Sequence, residues 1–379
     1  MKIGLLGFGV VGEGVWRLME ARGDMEVVRV LCRRDRTLPG TQVTHDFEDI
    51  LRDDAIDTIV EVMGGLEPAW DYVRRAAAAG KHIVTANKAL AAAHYDELLE
   101  LTEKHGVRLR CTAAVGGGIG WLPALERARR CDAVIRVGGI MNGTCNYILD
   151  SMTRLGMDYG EALRQAQALG YAEADPSADV DGTDTWNKLI LSANVAFGVS
   201  LDTAAVPAAG IRQITAGDVQ AFSQHGLVCR LVGEAARQDG AFRAWVQPTL
   251  FPAGTPEAAV SNNDNLITFE GGTVGRQSFL GQGAGRWPTA YNVVQDCADL
   301  LEGRGFYCRR GPAVPVDNSV CLRYYVRGGG DEWQNAGQTA QWGQAVVTGP
   351  VPAAVMHAWL RSHPQAFAAA LPPDAGEGI

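Results

Sequence analysis

Met1–Trp16 reads MKIGLLGFGVVGEGVW, and the placing of its glycines decides the fold. A short apolar run ends at Gly7. Gly7, Gly9 and Gly12 then open a stretch of helical periodicity, giving G-x-G-x-x-G between a strand and a helix. The first glycine permits a tight turn, the second lets the backbone approach a pyrophosphate, and the third lets helix and strand pack closely. Backbone N–H groups around Phe8, Val10 and Val11 then face the phosphates at the helix N-terminus. Strand, turn and helix in that order mark a dinucleotide site. The lysine and apolar run also resemble a signal peptide superficially, but Glu13 interrupts the run and the glycine spacing is that of a turn.

Outward from this motif, strand and helix patterns alternate. MEVVRVLC is strand-like, and AIDTIVEVMGG is an apolar run closed by glycines. AWDYVRRAAAAGK is helical, HIVTANK a strand, AAHYDELLELTEKHG a helix and VRLRCTAAV a strand. Such alternation with short connections predicts a parallel sheet covered on both faces, an α/β doubly wound (Rossmann) dinucleotide-binding domain over residues 1–133. From Val134 the pattern changes to a strand that continues as a helix, with Asn142, Gly143 and Thr144 at the join. Helical patterns follow at Tyr159–Leu169 and Thr183–Phe197, and strand patterns at Phe242–Phe251, Leu266–Glu270 and Gln277–Leu280. Residues 134–283 therefore read as a mixed α+β domain. A helix at Thr289–Leu301 follows the cluster GQGAG and is expected to return residues 284–325 to the first domain. Residues 326–379, with one helical stretch at Pro352–Leu371, read as a short C-terminal extension.

In a doubly wound sheet, ligands bind beyond the carboxyl ends of the strands. The second strand ends in VLCRRD. Arg33 and Arg34 there suit a 2′-phosphate better than a diol, favouring NADP over NAD, which remains possible. EVMGG (Glu61–Gly65) ends the next strand where a nicotinamide ribose would run, which brings in Met63 and Gly64. VTANK (Val84–Lys88) ends another, so Lys88 is expected in the crevice.

Composition excludes several classes of function. The chain has 379 residues, enough for two or three domains, with 47% hydrophobic and 20% charged residues. A formal net charge of −9 disfavours nucleic-acid binding. No run approaches the length of a membrane span. The eight cysteines include no C-x-x-C pair and read as buried free thiols of a reducing, cytoplasmic compartment.

The stretch YAEADPSADVDGTDTWNKLI (Tyr171–Ile190) holds Glu173, Asp175, Asp179, Asp181 and Asp184, followed by Lys188. A calcium loop counted from Asp175 would need glycine at its sixth place and a bidentate glutamate at its twelfth. It has Val180 and Trp186. The histidines do not cluster, so a catalytic transition metal is not expected. Asp184 and Lys188 lie four residues apart on a helix, on a face continued by the apolar Leu191 and Val195. Spacing alone leaves two readings level: a surface ion pair, or a buried lysine kept protonated as a proton donor.

With these residues assembled, the chain resembles the homoserine dehydrogenases from Met1 to about Leu301. The resemblance is densest in GGIMNGTCNYILDSM and in EALRQAQALGYAEADPSADVDGTDTWNKLIL, with EVMGG, TANK and GQGAGRWPTA in the expected order. It implies reversible NAD(P)H-dependent reduction of L-aspartate 4-semialdehyde to L-homoserine, on the route to threonine and methionine. It also implies a homodimer formed through the second domain, which serves catalysis and dimerisation. By resemblance Glu173 binds the substrate amino group, Asp184 binds substrate with Asp179 and the Asn142–Thr144 turn, and Lys188 donates the proton. Lys88 contacts cofactor and substrate, and Gly285 approaches the nicotinamide.

Three departures stand out. TAAVGGGIG has Thr112 where the family has a glutamate and Gly120 where it has a proline. In the family that glutamate holds sodium with carbonyls matching Val115, Gly117 and Ile119, so its loss counts against a sodium site. Trp186 is unusually bulky. LRYYVR (Leu322–Arg327) resembles the entry strand of a regulatory ACT domain, but the sequence after it does not resemble one, so threonine feedback is not expected. Two alternatives follow: a paralogue reducing a different amino-acid semialdehyde, and a catalytically silent dinucleotide-binding protein. Retention of Lys88, Glu173, Asp184 and Lys188 argues against the second.

Overall fold

In the computed structural model, which describes residues 1–238, 240–306, 310–329, 332–333 and 340–372, strand β1 (Lys2–Leu6) is buried at every position after Lys2. An unbroken buried run, without polar alternation, suits a strand covered on both faces. Five more described strands join it: β2 (Glu26–Leu31), β3 (Gln42–Thr44), β4 (Thr58–Glu61), β5 (His82–Thr85) and β6 (Leu109–Arg110). They lie in the order β3-β2-β1-β4-β5-β6, every neighbouring pair parallel. Strand order reverses between β1 and β4, which makes their carboxyl ends the ligand crevice of such a sheet.

The contacts divide the chain into two units. The first comprises Met1–Ala133, Ile190–Ser200 and Gly281–Pro312, and the second Val134–Leu189, Leu201–Leu280 and Ala313–Ile379. In the first, the helix Arg286–Leu301 puts Ala290, Val293, Val294 and Cys297 into one core with Ile3, Leu5, Val15, Trp16 and Met19. The strand expected over VRLRCTAAV is shorter than its pattern suggested: it stops at Arg110 and a 3-10 turn follows at Thr112–Ala114. Asp296 explains the change, because one carboxylate oxygen accepts the Thr112 N–H at 2.8 Å and the other accepts its hydroxyl at 2.5 Å. Arg110 is buried beside it, donating to Asp296 at 3.3 Å, Glu126 at 3.1 Å and Asp299 at 2.7 Å. Burial alone would depress the guanidinium, but these carboxylates hold it above its ordinary range.

The second unit is built on a sheet of nine described strands. From one edge these are Gly275–Gln282, Asp264–Gly271, Val134–Ile140, Leu227–Gln238, Ala241–Pro252, Phe367–Ala370, Tyr324–Arg327, Ala345–Val347 and Ala340–Trp342. The long strand Leu227–Gln238 pairs antiparallel with both Ala241–Pro252 and Val134–Ile140. It escaped the sequence reading because Arg230 and Glu234 interrupt its apolar pattern. Arg230 is nonetheless 1% exposed, and it donates to the carbonyls of Glu257, Ala258 and Val260.

The segment after 326, read as an extension, contributes strands to this same sheet. Counted from Tyr324–Arg327, four described strands of this region lie in the sheet in the order Phe367–Ala370, Tyr324–Arg327, Ala345–Val347, Ala340–Trp342, while Val351–Pro352 pairs separately with Cys321–Leu322. The region meets the rest of the sheet where Ala370 pairs with Thr249. Tyr324, Val326, Trp333, Val351 and Met356 form a core of their own. The helix expected over Pro352–Leu371 is Ala353–Ser362, and Phe367–Ala370 is a strand. The helix stops because Pro364 bars helical geometry at His363. Of the cysteines, Cys111, Cys145, Cys229 and Cys297 are buried free thiols, while Cys131 and Cys321 are exposed, which corrects the expectation that all are buried. Cys308 lies outside the described residues.

Two outcomes follow for stability. Arg110→Met leaves carboxylates buried without their cation and is expected to cost about 3–5 kcal/mol in urea unfolding. Burial pushes the Asp296 carboxyl up to about 6, against the opposing pull of Arg110 and Thr112. Because the folded value is the higher one, its contribution is complete below the ordinary carboxylate value of about 3.9. That contribution is lost as pH rises through about 6. The stability of the wild type relative to Asp296→Asn should therefore fall across that interval.

Candidate active site

The glycine turn has three positions with three different reasons. Gly7 has φ +100°, closed to most side chains, and its N–H donates to the Leu31 carbonyl at 2.9 Å, tying β1 to β2. A Cβ on Gly12 would lie 2.2 Å from the Gly7 carbonyl oxygen. A Cβ on Gly9 would meet nothing within 4 Å, so no protein neighbour requires glycine there. Gly9 is also the N-cap of the helix Val10–Glu20, whose first N–H groups receive no side-chain cap. An open face above uncapped N–H groups fits a pyrophosphate.

Around the turn, Arg33 and Arg34 are exposed at the end of β2. Arg36, not singled out from sequence, lies over the Phe8 ring at 5.6 Å. His45 bonds Asp35 at 2.8 Å and the Cys32 carbonyl at 2.6 Å, and Asp35 raises its pKa above the ordinary histidine value.

The ends of β4 and β5 are joined through one buried carboxylate. Glu61 accepts from the Met63 N–H at 2.7 Å and from the Thr85 hydroxyl at 2.6 Å. Burial raises its pKa, and these donors oppose the rise. Asn87 donates to the Gly65 carbonyl at 2.6 Å, and its side-chain oxygen caps the helix Lys88–Ala93 through the Leu90 N–H. Lys88, half-buried, is thereby the first residue of a helix whose start is fixed to the loop holding Met63 and Gly64. Sequence reasoning missed Glu61 and Asn87, although a carboxylate closing an apolar strand was a visible signal. Gly285, with φ +120°, opens the helix Arg286–Leu301.

In the second unit the acidic stretch gathers around Lys188. The helix Thr183–Phe197 carries Asp184 and Lys188 on one face, 4% and 5% exposed, so the pair is not a surface bridge. The ammonium lies 2.7 Å from the Asp184 carboxylate and donates to the Met141 carbonyl at 2.6 Å. Asn265, missed from sequence, donates to the same carbonyl at 3.0 Å. The Asn142 side-chain amide donates to Asp179 at 2.6 Å and to Asp184 at 2.8 Å. Its oxygen meanwhile accepts the Cys145 N–H at 2.8 Å and caps the helix Gly143–Leu155. Gly143 is required here because a Cβ would lie 2.5 Å from the Asn263 carbonyl. The Thr144 hydroxyl holds the loop by donating to the Tyr171 carbonyl at 2.6 Å. Burial, and then the charge of Asp184, raise the Asp179 carboxyl above the usual range.

Glu173 lies on the same loop but exposed, its backbone carbonyl accepting from Gln167 at 3.1 Å. The Trp186 indole N–H donates to the Val206 carbonyl at 2.9 Å. No group of three or more His, Cys, Asp or Glu among the described residues could hold a metal ion. The turn with Val115, Gly117 and Ile119 does not fit sodium either: the Asn292 amide nitrogen already donates to the Gly117 and Ile119 carbonyls.

Comparison with known proteins places the chain in a family. Residues 121–298 match the family model for homoserine dehydrogenase, and residues 7–112 the model for its NAD-binding domain. A homoserine dehydrogenase of Bacillus subtilis is 36% identical over 316 residues, 80% of this chain and 73% of the relative. One of Synechocystis is 40% identical over 317 residues, 79% and 73% of the two chains. The crystal structure of a homoserine dehydrogenase from Thiobacillus denitrificans superposes with a TM-score of 0.86 at 30% identity, covering 98% of each chain. With a dinucleotide turn, a buried lysine–aspartate pair and relatives this similar along most of its length, the chain belongs to the homoserine dehydrogenase family of nicotinamide-dependent oxidoreductases.

Proposed function

We propose that the chain interconverts L-aspartate 4-semialdehyde and L-homoserine with NADP(H), Lys188 being the proton donor to the carbonyl oxygen. The observation that carries this reading is the buried Lys188 ammonium, held by Asp184 at 2.7 Å and the Met141 carbonyl at 2.6 Å. The nicotinamide, when bound, supplies the hydride in one direction and takes it back in the other. As the aldehyde oxygen gains negative charge, Lys188 stabilises it and transfers a proton; in reverse it accepts that proton. Asp184 keeps the lysine charged and oriented, since a nearby carboxylate favours the protonated form. Asn142 holds Asp184 and Asp179 in one arrangement, and its cap fixes the Gly143 and Thr144 backbone. Glu173, exposed to solvent, is assigned to the substrate ammonium. Lys88, at the start of its helix, is assigned to cofactor and substrate.

For the cofactor, Gly7, Phe8, Gly9, Val10, Val11 and Gly12 hold the pyrophosphate, Met63, Gly64 and Gly285 the nicotinamide end, and Arg33 and Arg34 the 2′-phosphate. The cation over Phe8, Arg36, adds to the same positive rim. Of the three unusual residues that permit a different semialdehyde, Thr112, Gly120 and Trp186, the first is engaged by Asp296 and the last by Val206, and neither contact favours a changed substrate. The reading includes a cytoplasmic homodimer formed at the edge strand Gly275–Gln282, where Leu280 is 65% exposed.

Turnover of aspartate semialdehyde with NADPH tests the whole reading; a rate only with a longer or modified aldehyde would sink it. Lys188→Ala is expected to lower kcat by about 10²–10⁴-fold with little change in cofactor Kd, and near-normal turnover would remove its role as acid. Arg33→Ala and Arg34→Ala should raise KM for NADPH more than for NADH, whereas equal effects would count against the 2′-phosphate assignment.

A further inference from the structure

We infer that Asn292 is a built-in substitute for a monovalent cation, a positioning residue that holds the turn 115–119 without sodium. The turn leaves ordinary backbone geometry at Gly116 and Gly117, with φ +81° and +52°. A Cβ on Gly117 would lie 2.5 Å from the Gly283 backbone. The segment is fastened at one side by Gly118, whose N–H donates to the Gln282 carbonyl at 3.1 Å, and internally by Ile119, whose N–H donates to Gly116 at 2.8 Å. The Ile119 carbonyl accepts the Trp121 N–H at 2.8 Å, and a second approach to it converges with the Gly117 carbonyl on one point.

Two convergent carbonyls repel each other and need a positive partner. A hard cation with oxygen ligands is one solution. Here the partner is the side-chain amide of Asn292, 4% exposed on the helix Arg286–Leu301. Its nitrogen lies 2.5 Å from the Gly117 oxygen and 3.1 Å from the Ile119 oxygen, filling the position an ion would take. An amide carries two N–H donors, one for each carbonyl, and no net charge, so it needs no carboxylate nearby to balance it. Position 112, where a carboxylate ligand would stand, is accordingly a threonine that donates to Asp296, one helical turn beyond Asn292. The amide and the threonine together convert an ion site into a hydrogen-bonded one.

The test is thermal unfolding of the full chain in sodium chloride against choline chloride at matched ionic strength, with turnover followed in parallel. The wild type is expected to melt at the same temperature in both salts and to turn over at the same rate. Asn292→Asp keeps the shape but turns the donor toward the carbonyls into an acceptor. It is expected to melt several degrees lower in choline chloride and to recover in sodium chloride. Asn292→Ala, which opens the position without adding charge, should show the same ion preference more weakly. A purely structural loss would lower melting equally in both salts, and that result for both variants would overturn the inference. So would a wild type that is stabilised or activated by sodium over choline. If Asn292→Asp fails to fold, the wild-type comparison and Asn292→Ala still decide. The melting readout does not depend on the substrate, so it can fail separately from the proposed reaction.

Discussion

An ammonium taken out of water is tolerated only where charge and hydrogen bonds replace the water it loses. Lys188 meets that condition through the Asp184 carboxylate and the Met141 carbonyl, and much of the second unit is arranged around those two contacts. Met141 lies at the end of the strand Val134–Ile140, and the next residue, Asn142, starts a helix. Asn142 then reaches back to Asp184 and across to Asp179. One side chain thus sets where a helix begins and how two carboxylates face a lysine. Local backbone chemistry and site geometry are the same set of bonds.

The first unit uses a parallel device. Glu61 is buried at a strand end and collects donors from its own loop and from β5. Asn87 then starts a helix with its oxygen and holds the neighbouring loop with its nitrogen. In both units a short amide side chain at an N-cap does double service. Lys88 in the first unit and Gly143 in the second are thereby presented at helix starts, where the backbone is defined within the first turn.

How much could be read in advance depended on the range of the interaction. Gly7, Gly9 and Gly12 act on their immediate neighbours, so their spacing announced the turn and the sheet. Asp184 and Lys188 are four residues apart, so a shared face was visible and Leu191 and Val195 pointed to its burial, but spacing could not tell a proton donor from an ordinary ion pair. Arg110 and Asp296 are separated by 186 positions, and nothing local distinguishes either from a surface charge. The strand Leu227–Gln238 was hidden for the same reason, because Arg230 is satisfied by carbonyls roughly thirty residues further on. Asn292 was invisible until its distant carbonyl partners were in place.

The division of the chain has a consequence for how such an enzyme can vary. Each unit is assembled from three separate segments, and the boundary between Leu189 and Ile190 falls inside one helix. Neither unit can be copied, cut out or exchanged as one continuous stretch of sequence. A crossover between two related genes that respected the first boundary, at Ala133, would still carry pieces of both units. Such a crossover would carry the glycine turn across but leave behind the helix Arg286–Leu301, whose Ala290, Val293 and Cys297 pack in the same core, so the two parents would have to match there.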